Sequence, residues 1–446
     1  MENPARTFPS AQIAEGYSGS CVRMRKQSLT LALAACLAAA PSLAAQSNSG
    51  ASRLPQSDAG LYGDAARVAW TYVEKQTQPE SGFVNSVINY PYATVWDIGS
   101  GIAALYCAGE LGLVDRTEYD RRMRLVLKTL RETGMYDNGG FNKNYSTRTG
   151  KMAGRNNAES SQADKGYGWS ALDTGRLLTW LRIVEVNQPQ YRDDVEAIVH
   201  RLDFRRMVAD GYLRGEDVSP RGGRARAYQE GKLGYEQYSA TGYALWGQRA
   251  DRALSLSANT RPITVMGVPL VADNRGGRLT SEPFILMGLE TGWTPEQREL
   301  AWRVLAAQEA RFRQTGTVTI VSEDALNRPP YFLYYSVWSD GREFAVEPPE
   351  GAPPGDTPRT VSTKAAFGWH ALLPSSYTLK GVQTVAAART SNGWGAGVFE
   401  ADARISGGEN VNTAAIVLES ALYVKRGGRP LIEPVAPPAA PAAAAR

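Results

Sequence analysis

The stretch Thr94-Val95-Trp96-Asp97-Ile98-Gly99-Ser100-Gly101-Ile102-Ala103-Ala104-Leu105-Tyr106-Cys107-Ala108 has no charged side chain between Asp97 and Glu110. It opens on a small polar residue and runs for the length of a helix, with Ile98, Ile102, Leu105 and Tyr106 set among Gly and Ala. A helix that is apolar all round must be buried all round. Five further segments repeat the pattern, beginning near Ser170, Tyr235, Thr280, Ser362 and Asn410. Each is preceded by a helix with a single apolar stripe. In one of these, Tyr119, Met123, Leu127 and Leu130 recur at helical spacing while Asp120, Arg121, Arg124 and Arg131 take the other face. The others lie near Asp64–Gln76, Tyr191–Leu202, Ala250–Leu256, Pro295–Arg313 and Tyr377–Arg389, with the weakest pattern at Ala250. Six amphipathic helices around six buried ones predict an all-α fold, an (α/α)6 toroid over residues 61–432.

Connector lengths orient that toroid. Turns from a buried helix to the next outer one are short, as at Gly112–Thr117, Gly292–Thr294 and Leu373–Ser376. Gly112, Gly247 and Gly292 stand where a helix takes a left-handed cap. Connections from outer to buried helix are long: Thr77–Val95, Gly134–Trp169, Arg205–Gly234, Ser257–Leu279, Gly316–Val361 and Thr390–Glu409. All long loops therefore belong on one face, together with the N-termini of the buried helices. Loops of this length in a compact domain usually carry function.

Composition fits a large globular core: of 446 residues, 43% are apolar and 21% charged. The net charge of +4 is spread over 49 basic and 45 acidic residues without a basic block, which argues against a nucleic-acid partner. Met24, Arg25 and Lys26, followed by the apolar run Leu29–Ala40 and the small residues Ser42 and Ala44, read as a secretory signal. Met24 is the expected initiator, residues 1–45 a leader, and 46–60 a linker. The apolar run of about 12 residues is short of the roughly 20 needed to span a bilayer, so no stable membrane anchor is expected. The protein is then periplasmic or secreted. Cys36 follows Leu33-Ala34-Ala35, a weaker lipoprotein pattern. Loss of Cys21 and Cys36 with the leader would leave Cys107 alone, without an intrachain disulfide. Residues 433–446 are almost entirely Pro and Ala and read as a disordered tail.

Carboxylates gather on the loop face. Asp97 and Asp173 sit in the first turn of their helices, where the dipole and unpaired N–H groups favour an acid with or without a substrate. The same dipole lowers a carboxylate's pKa, which suits Asp97 to a base or transition-state stabiliser rather than an acid. A proton donor needs desolvation among apolar or aromatic neighbours. Two residues meet that description: Glu236 in Gly234-Tyr235-Glu236-Gln237-Tyr238, and Glu323, which lies between the β-branched run Thr317–Val321 and the aromatics Tyr331, Phe332, Tyr334 and Tyr335. For each, the alternative is an ion pair or a loop-stabilising hydrogen bond. Glu282 opens its helix beside Ser281 and Pro283, as an N-terminal capping residue would, at the same rim. Glu400 ranks lower as a pocket residue. Glu419, inside an otherwise uncharged helix, needs a partner such as Lys364 or His370. Trp96, Tyr235, Tyr238, Tyr334, Trp369 and Trp394 offer ring faces on which sugars stack, with Asp173 and Glu282 as polar neighbours for hydroxyls.

Other chemistries lack their parts. His200 and His370 are the only histidines and lie on different helices, which leaves zinc sites and His-based triads without ligands or a base. Gly139-Gly140 and Gly222-Gly223 follow no strand and make no phosphate loop. No cofactor and no metal is expected, although calcium held by loop aspartates stays open.

The segments Trp96-Asp97-Ile98-Gly99-Ser100, Gly168-Trp169-Ser170-Ala171-Leu172-Asp173, Gly234–Tyr238, Gln308-Glu309-Ala310-Arg311, Val321-Ser322-Glu323 and Ser362–Trp369, with the closing Asn412-Thr413 and Val417-Leu418-Glu419, resemble the motifs of domain of unknown function 3131. The resemblance covers about Leu61 to Ile432. It implies an exported bacterial domain related to the six-hairpin glycosidases, some of which cleave β-linked glucans, and it assigns no catalytic residue. The sixth buried helix departs from it, with Ala414 where a second asparagine is expected after Thr413.

The leading expectation is an exported glycoside hydrolase acting on an oligo- or polysaccharide. Glu236 or Glu323 serves as acid and Asp97 as base, and an inverting mechanism follows by analogy of architecture. Two readings stand beside it: a non-catalytic glycan-binding or envelope accessory protein, and a polysaccharide lyase, for which Arg221, Arg224 and Arg226 in the third long loop could neutralise a uronate.

Overall fold

The computed structural model describes residues 56–434 except 155–156, 161–165 and 219–224. The leader, the Pro/Ala tail from 435 onward, Arg221 and Arg224 lie outside the described residues. Thirteen α-helices are described: α1 (Gln56–Gln76), α2 (Val95–Leu111), α3 (Arg116–Glu132), α4 (Ala171–Asn187), α5 (Arg192–Val199), the single turn α6 (Phe204–Met207), α7 (Tyr235–Ala244), α8 (Asp251–Leu254), α9 (Glu282–Leu286, continued by a wider π turn to Thr291), α10 (Pro295–Thr315), α11 (Thr363–Leu372), α12 (Ser376–Val385) and α13 (Val411–Lys425). The first of them starts inside the stretch read as a linker.

The buried helices form a closed inner ring. Helix α2 packs on α4, α4 on α7, α7 on α9, α9 on α11, α11 on α13, and α13 returns to α2. The Gly and Ala content of these helices lets their backbones approach. A Cβ placed on Gly242 of α7 would sit 2.1 Å from the Gly175 carbonyl of α4, so the contact requires glycine. Amphipathic helices line the outside: on α3, Tyr119, Met123, Val126, Leu127 and Leu130 are buried and the Arg/Asp face is not. Gly112 ends α2 in the left-handed region at φ 79°, the position its sequence context predicted.

The expectation of an all-α chain needs correction. Among the described residues helix accounts for 46% and strand for 20%, in small antiparallel sheets. The sheets lie in the long connections, whose backbone N–H and C=O groups find partners there instead of in helices. The outer helix expected at Ala250–Leu256 is the one turn α8. The hairpin Thr260–Val265/Val268–Asp273 follows it and packs on α10. Among the described residues no helix is long and apolar enough to cross a membrane.

Candidate active site

Four of the six long connections line one cavity: Ser86 from the first, Glu230 from the third, Arg278 from the fourth, and Glu323 and Tyr334 from the fifth, with the cap residues Ser170 and Asn410 at the ends of the second and sixth. First-turn residues of the inner helices complete it: Trp96 and Asp97, Asp173, Tyr235, Glu282, Lys364 and Asn412. The long loops thus share a rim, and the inner-helix N-termini form the floor.

Capping places these side chains. Thr94 and Asp97 make a reciprocal capping box: the Asp97 N–H donates to Thr94 Oγ1 at 3.2 Å, and the Thr94 N–H donates to Asp97 Oδ2 at 2.9 Å. Asn412 Nδ2 donates to Asp97 Oδ1 at 2.9 Å. Ser170 caps α4, accepting from the Asp173 N–H at 3.0 Å. Glu230, from the third loop, accepts from the Ala171 N–H at 2.5 Å and so also caps α4. Asn410 caps α13, accepting from the Thr413 N–H at 2.8 Å.

The acids fall into two groups. Asp97, Asp173 and Glu230 influence one another: burial, then the charges of Glu230 and Asp97, push Asp173 up to about 8. Burial also raises Glu230, opposed by the Lys143 ammonium. Burial, the largest influence, leaves Asp97 above the usual aspartate range, although the donors Thr94 and Asn412, with Arg176 beyond them, pull it part of the way back; the lowering expected from the helix dipole is not what the site produces. The second group is Glu282 and Glu323. Burial, then the Glu282 charge, push Glu323 up to about 8, against Lys364, Arg278 and the Tyr235 hydroxyl. Glu282 is ion-paired with Lys364, and both are buried. Arg278 pairs with Glu347 at 2.7 Å and covers the Tyr334 ring at 4.1 Å. The Trp96 ring meets the edges of Tyr235 and Tyr238 at 5.6 and 5.5 Å.

Of the residues singled out in the sequence, Asp97, Glu323, Trp96, Asp173, Tyr235, Glu282 and Tyr334 line this cavity. The structure places the other five away from the lining. Glu236 is wholly buried, bound by Arg275 at 2.6 Å and Gln229 at 2.8 Å, which is the ion-pair alternative weighed for it. The Tyr238 hydroxyl donates to Glu290 at 2.7 Å beneath the floor. Trp369 is a core residue six residues into α11. Trp394 donates to the Ala65 carbonyl at 3.0 Å and packs on Phe367, and Glu400 is held by Arg311 at 2.9 Å.

Glu419 is corrected as well. Its partner is Arg176 at 3.0 Å, not Lys364 or His370. Glu230, Lys364, Arg278 and Asn412 were missed as lining residues. Lys364 and Asn412 lie in the first turn of their helices, as Asp97 does, so the rule that found one could have found the others. Glu230 sits in a loop with no local signal.

A ring of six helical hairpins, with a carboxyl-lined cavity at the N-termini of its inner helices, defines an (α/α)6 fold. The chain belongs to the DUF3131 family of proteins of unknown function, whose model matches residues 64–427. No protein of curated function matches it by sequence. Among solved structures, it is similar to a candidate glucoamylase of Bacteroides fragilis, at 14% identity over 85% of this chain and 94% of that one, with a TM-score of 0.60. It is also similar to the endo-β-1,2-glucanase of Chitinophaga pinensis, at 13% identity over 85% and 94% with a TM-score of 0.59. For the endo-β-1,2-glucanase of Talaromyces funiculosus the values are 11% identity, 85% and 88%, and a TM-score of 0.57. At these identities the likeness is one of fold.

Proposed function

We propose that the protein is an exported glycoside hydrolase in which Glu323 is the general acid and Asp97 the base that activates water. One arrangement carries the reading: a single cavity holds a carboxyl set beside an anionic neighbour, Glu323 next to Glu282, and another, Asp97, surrounded by donors. Glu323 has the burial and anionic neighbour that an acid requires. Asp97 Oδ2 is filled by Thr94, and Oδ1 accepts one bond from Asn412 and keeps a lone pair for water. Asp173, also pushed up to about 8, would donate a hydrogen bond to a sugar hydroxyl. Trp96 and Tyr334 offer ring faces for stacking. The pairing of Lys364 with Glu282 and of Arg278 with Glu347 favours a neutral sugar over the uronate that a lyase needs. Export rests on the pattern of residues 24–45.

β-1,2-Glucan, the substrate in the names of two structural neighbours, is the first polymer to test. Reducing-sugar release that disappears in both Glu323→Gln and Asp97→Asn is the expected result. NMR of the first-formed anomer reads inversion or retention. Activity that survives in both variants would overturn the assignment, and glycan binding without release by the wild type would return the protein to a binding role.

A further inference from the structure

Beneath the cavity floor lies a buried ionic cluster that the proposed chemistry does not use. Arg176 of α4 is fully buried and donates to Glu290 of α9 at 2.8 Å and to Glu419 of α13 at 3.0 Å. It also donates to the Tyr238 hydroxyl at 2.9 Å, and it lies 5.2 Å from the centre of the Trp96 ring. One guanidinium faces two carboxyls, and burial raises both; a proton shared between Glu290 and Glu419 leaves the cluster neutral.

A fourth Arg176 hydrogen bond runs up toward the cavity. Its Nε donates to Ser100 Oγ at 2.8 Å, Ser100 Oγ donates to Asn412 Oδ1 at 2.6 Å, and Asn412 Nδ2 donates to Asp97 Oδ1 at 2.9 Å. The chain runs one way. Arginine has no acceptor, so Ser100 Oγ accepts from it and gives its own proton to Asn412 Oδ1, which leaves the Asn412 amide to donate to the Asp97 carboxylate. Reversing Asn412 would set its NH2 against the Ser100 hydroxyl proton and its carbonyl against the carboxylate.

We propose that Asn412 is the positioning residue of Asp97, its amide locked in the donating orientation by the one-way chain that begins at Arg176. The chain does two things. It fixes the Asp97 carboxyl plane between Asn412 and Thr94, and it selects the ionised form, because a protonated Asp97 would bring a second proton to a contact that already holds one. Other groups facing Asp97 are Asp173 across the cavity, Arg176, and the phenols of Tyr72 and Tyr90. None of the phenols or Asp173 donates to it in the described hydrogen bonds, so the chain and the capping box set its state. The link from Asn412 to catalysis rests on the hydrolase reading; the link from Arg176 to Asp97 does not.

The test separates the two. The side-chain carboxyl of Asp97 is followed by ¹³C NMR titration in protein labelled at aspartate, with the signal assigned by Asp97→Asn, and no substrate is present. Ser100→Ala removes only one oxygen from a buried site, and Asn412→Ala removes the last donor. In each, the Asp97 midpoint is expected to rise by about one pH unit, a tenfold change in its ionisation constant. Asn412→Asp, which cannot donate when ionised, should raise it further. The acid limb of the kcat–pH profile for glucan hydrolysis should move up by the same amount, with KM little changed. A midpoint that stays put or falls in both Ser100→Ala and Asn412→Ala would overturn the proposed chain. A midpoint that rises while the kcat profile does not follow would leave the chain in place and remove Asp97 as the base. Should Ser100→Ala fail to fold, Asn412→Ala at the cavity surface decides alone.

Discussion

Glu323→Gln separates an acid poised for chemistry from one buried for structure. At pH 7 a carboxyl with a pKa of about 8 is about 90% protonated, whereas one at the ordinary 4.5 is only about 0.3% protonated. Burial and Glu282 therefore raise the fraction of competent acid roughly 300-fold at neutral pH. That gain has a stability cost of definite sign. The folded protein holds the Glu323 proton between pH 4.5 and about 8 while the unfolded chain has released it, so stability falls as pH rises through this window. By pH 7 the loss attached to this one group is at most about 3 kcal/mol. Glutamine keeps the shape and neutrality of the protonated acid and escapes the loss. Glu323→Gln should lower kcat by about 10² to 10⁴-fold and yet unfold at a higher temperature than wild type at pH 8, with the gap closing near pH 5. Initial rates of reducing-sugar release and thermal unfolding at the two pH values read both outcomes. A stability difference independent of pH, or a variant less stable at pH 8, would refute the claim that Glu323 is held protonated.

Its neighbours should tune the same group in opposite directions. Glu282→Gln removes an anion beside Glu323 and frees Lys364 from its partner, so the basic limb of the kcat–pH profile should move down by about one unit, whereas Lys364→Met should move it up. Arg275→Met strands Glu236 and Asp273 without their cation and should cost about 3–5 kcal/mol in denaturant unfolding. Glu236→Gln, outside the cavity lining, should keep hydrolysis within a few-fold of wild type. Gly242→Ala drives a methyl group into the Gly175 carbonyl, and a loss of about 1–3 kcal/mol or more is expected as α4 and α7 are forced apart, read by the same unfolding measurement.

The ring of helices was legible because burial on all sides leaves a mark: a nearly uncharged run of helical length, opened in most cases by a small polar residue. Thr94 and Ser170 cap their helices as the sequence indicated. The small sheets left no comparable mark, since most of their strands are two to four residues long and too short for an alternating pattern to stand out. The hairpin after α8 is different. Thr260–Val265 and Val268–Asp273 are β-prone runs joined by Met266-Gly267, both at positive φ, with Val265 paired to Val268. That is a two-residue hairpin signature, and it outcompeted the helical reading of the preceding segment.

Within the site, position along each inner helix carried more information than residue type. First-turn residues converge on the floor, so Asp97, Asp173, Tyr235 and Glu282 reach the cavity. Glu236, one residue past Tyr235 and about 100° round the helix, turns away to Arg275. No local pattern could separate those two, because the cation that claims Glu236 lies 39 residues further on. Depth would have resolved Glu419. It stands eight residues into α13 (419 − 411), or about 12 Å below the rim at 1.5 Å per residue, and Glu290 stands eight into α9 (290 − 282). Lys364 is one residue into α11, level with Glu282 at the start of α9, and the two pair. Arg176, five residues into α4 with a long side chain, is the cation within reach of the deeper acids. In a ring of parallel inner helices, buried charges must find partners at their own level. Counting residues from each cap therefore pairs Glu282 with Lys364 and both deep glutamates with Arg176.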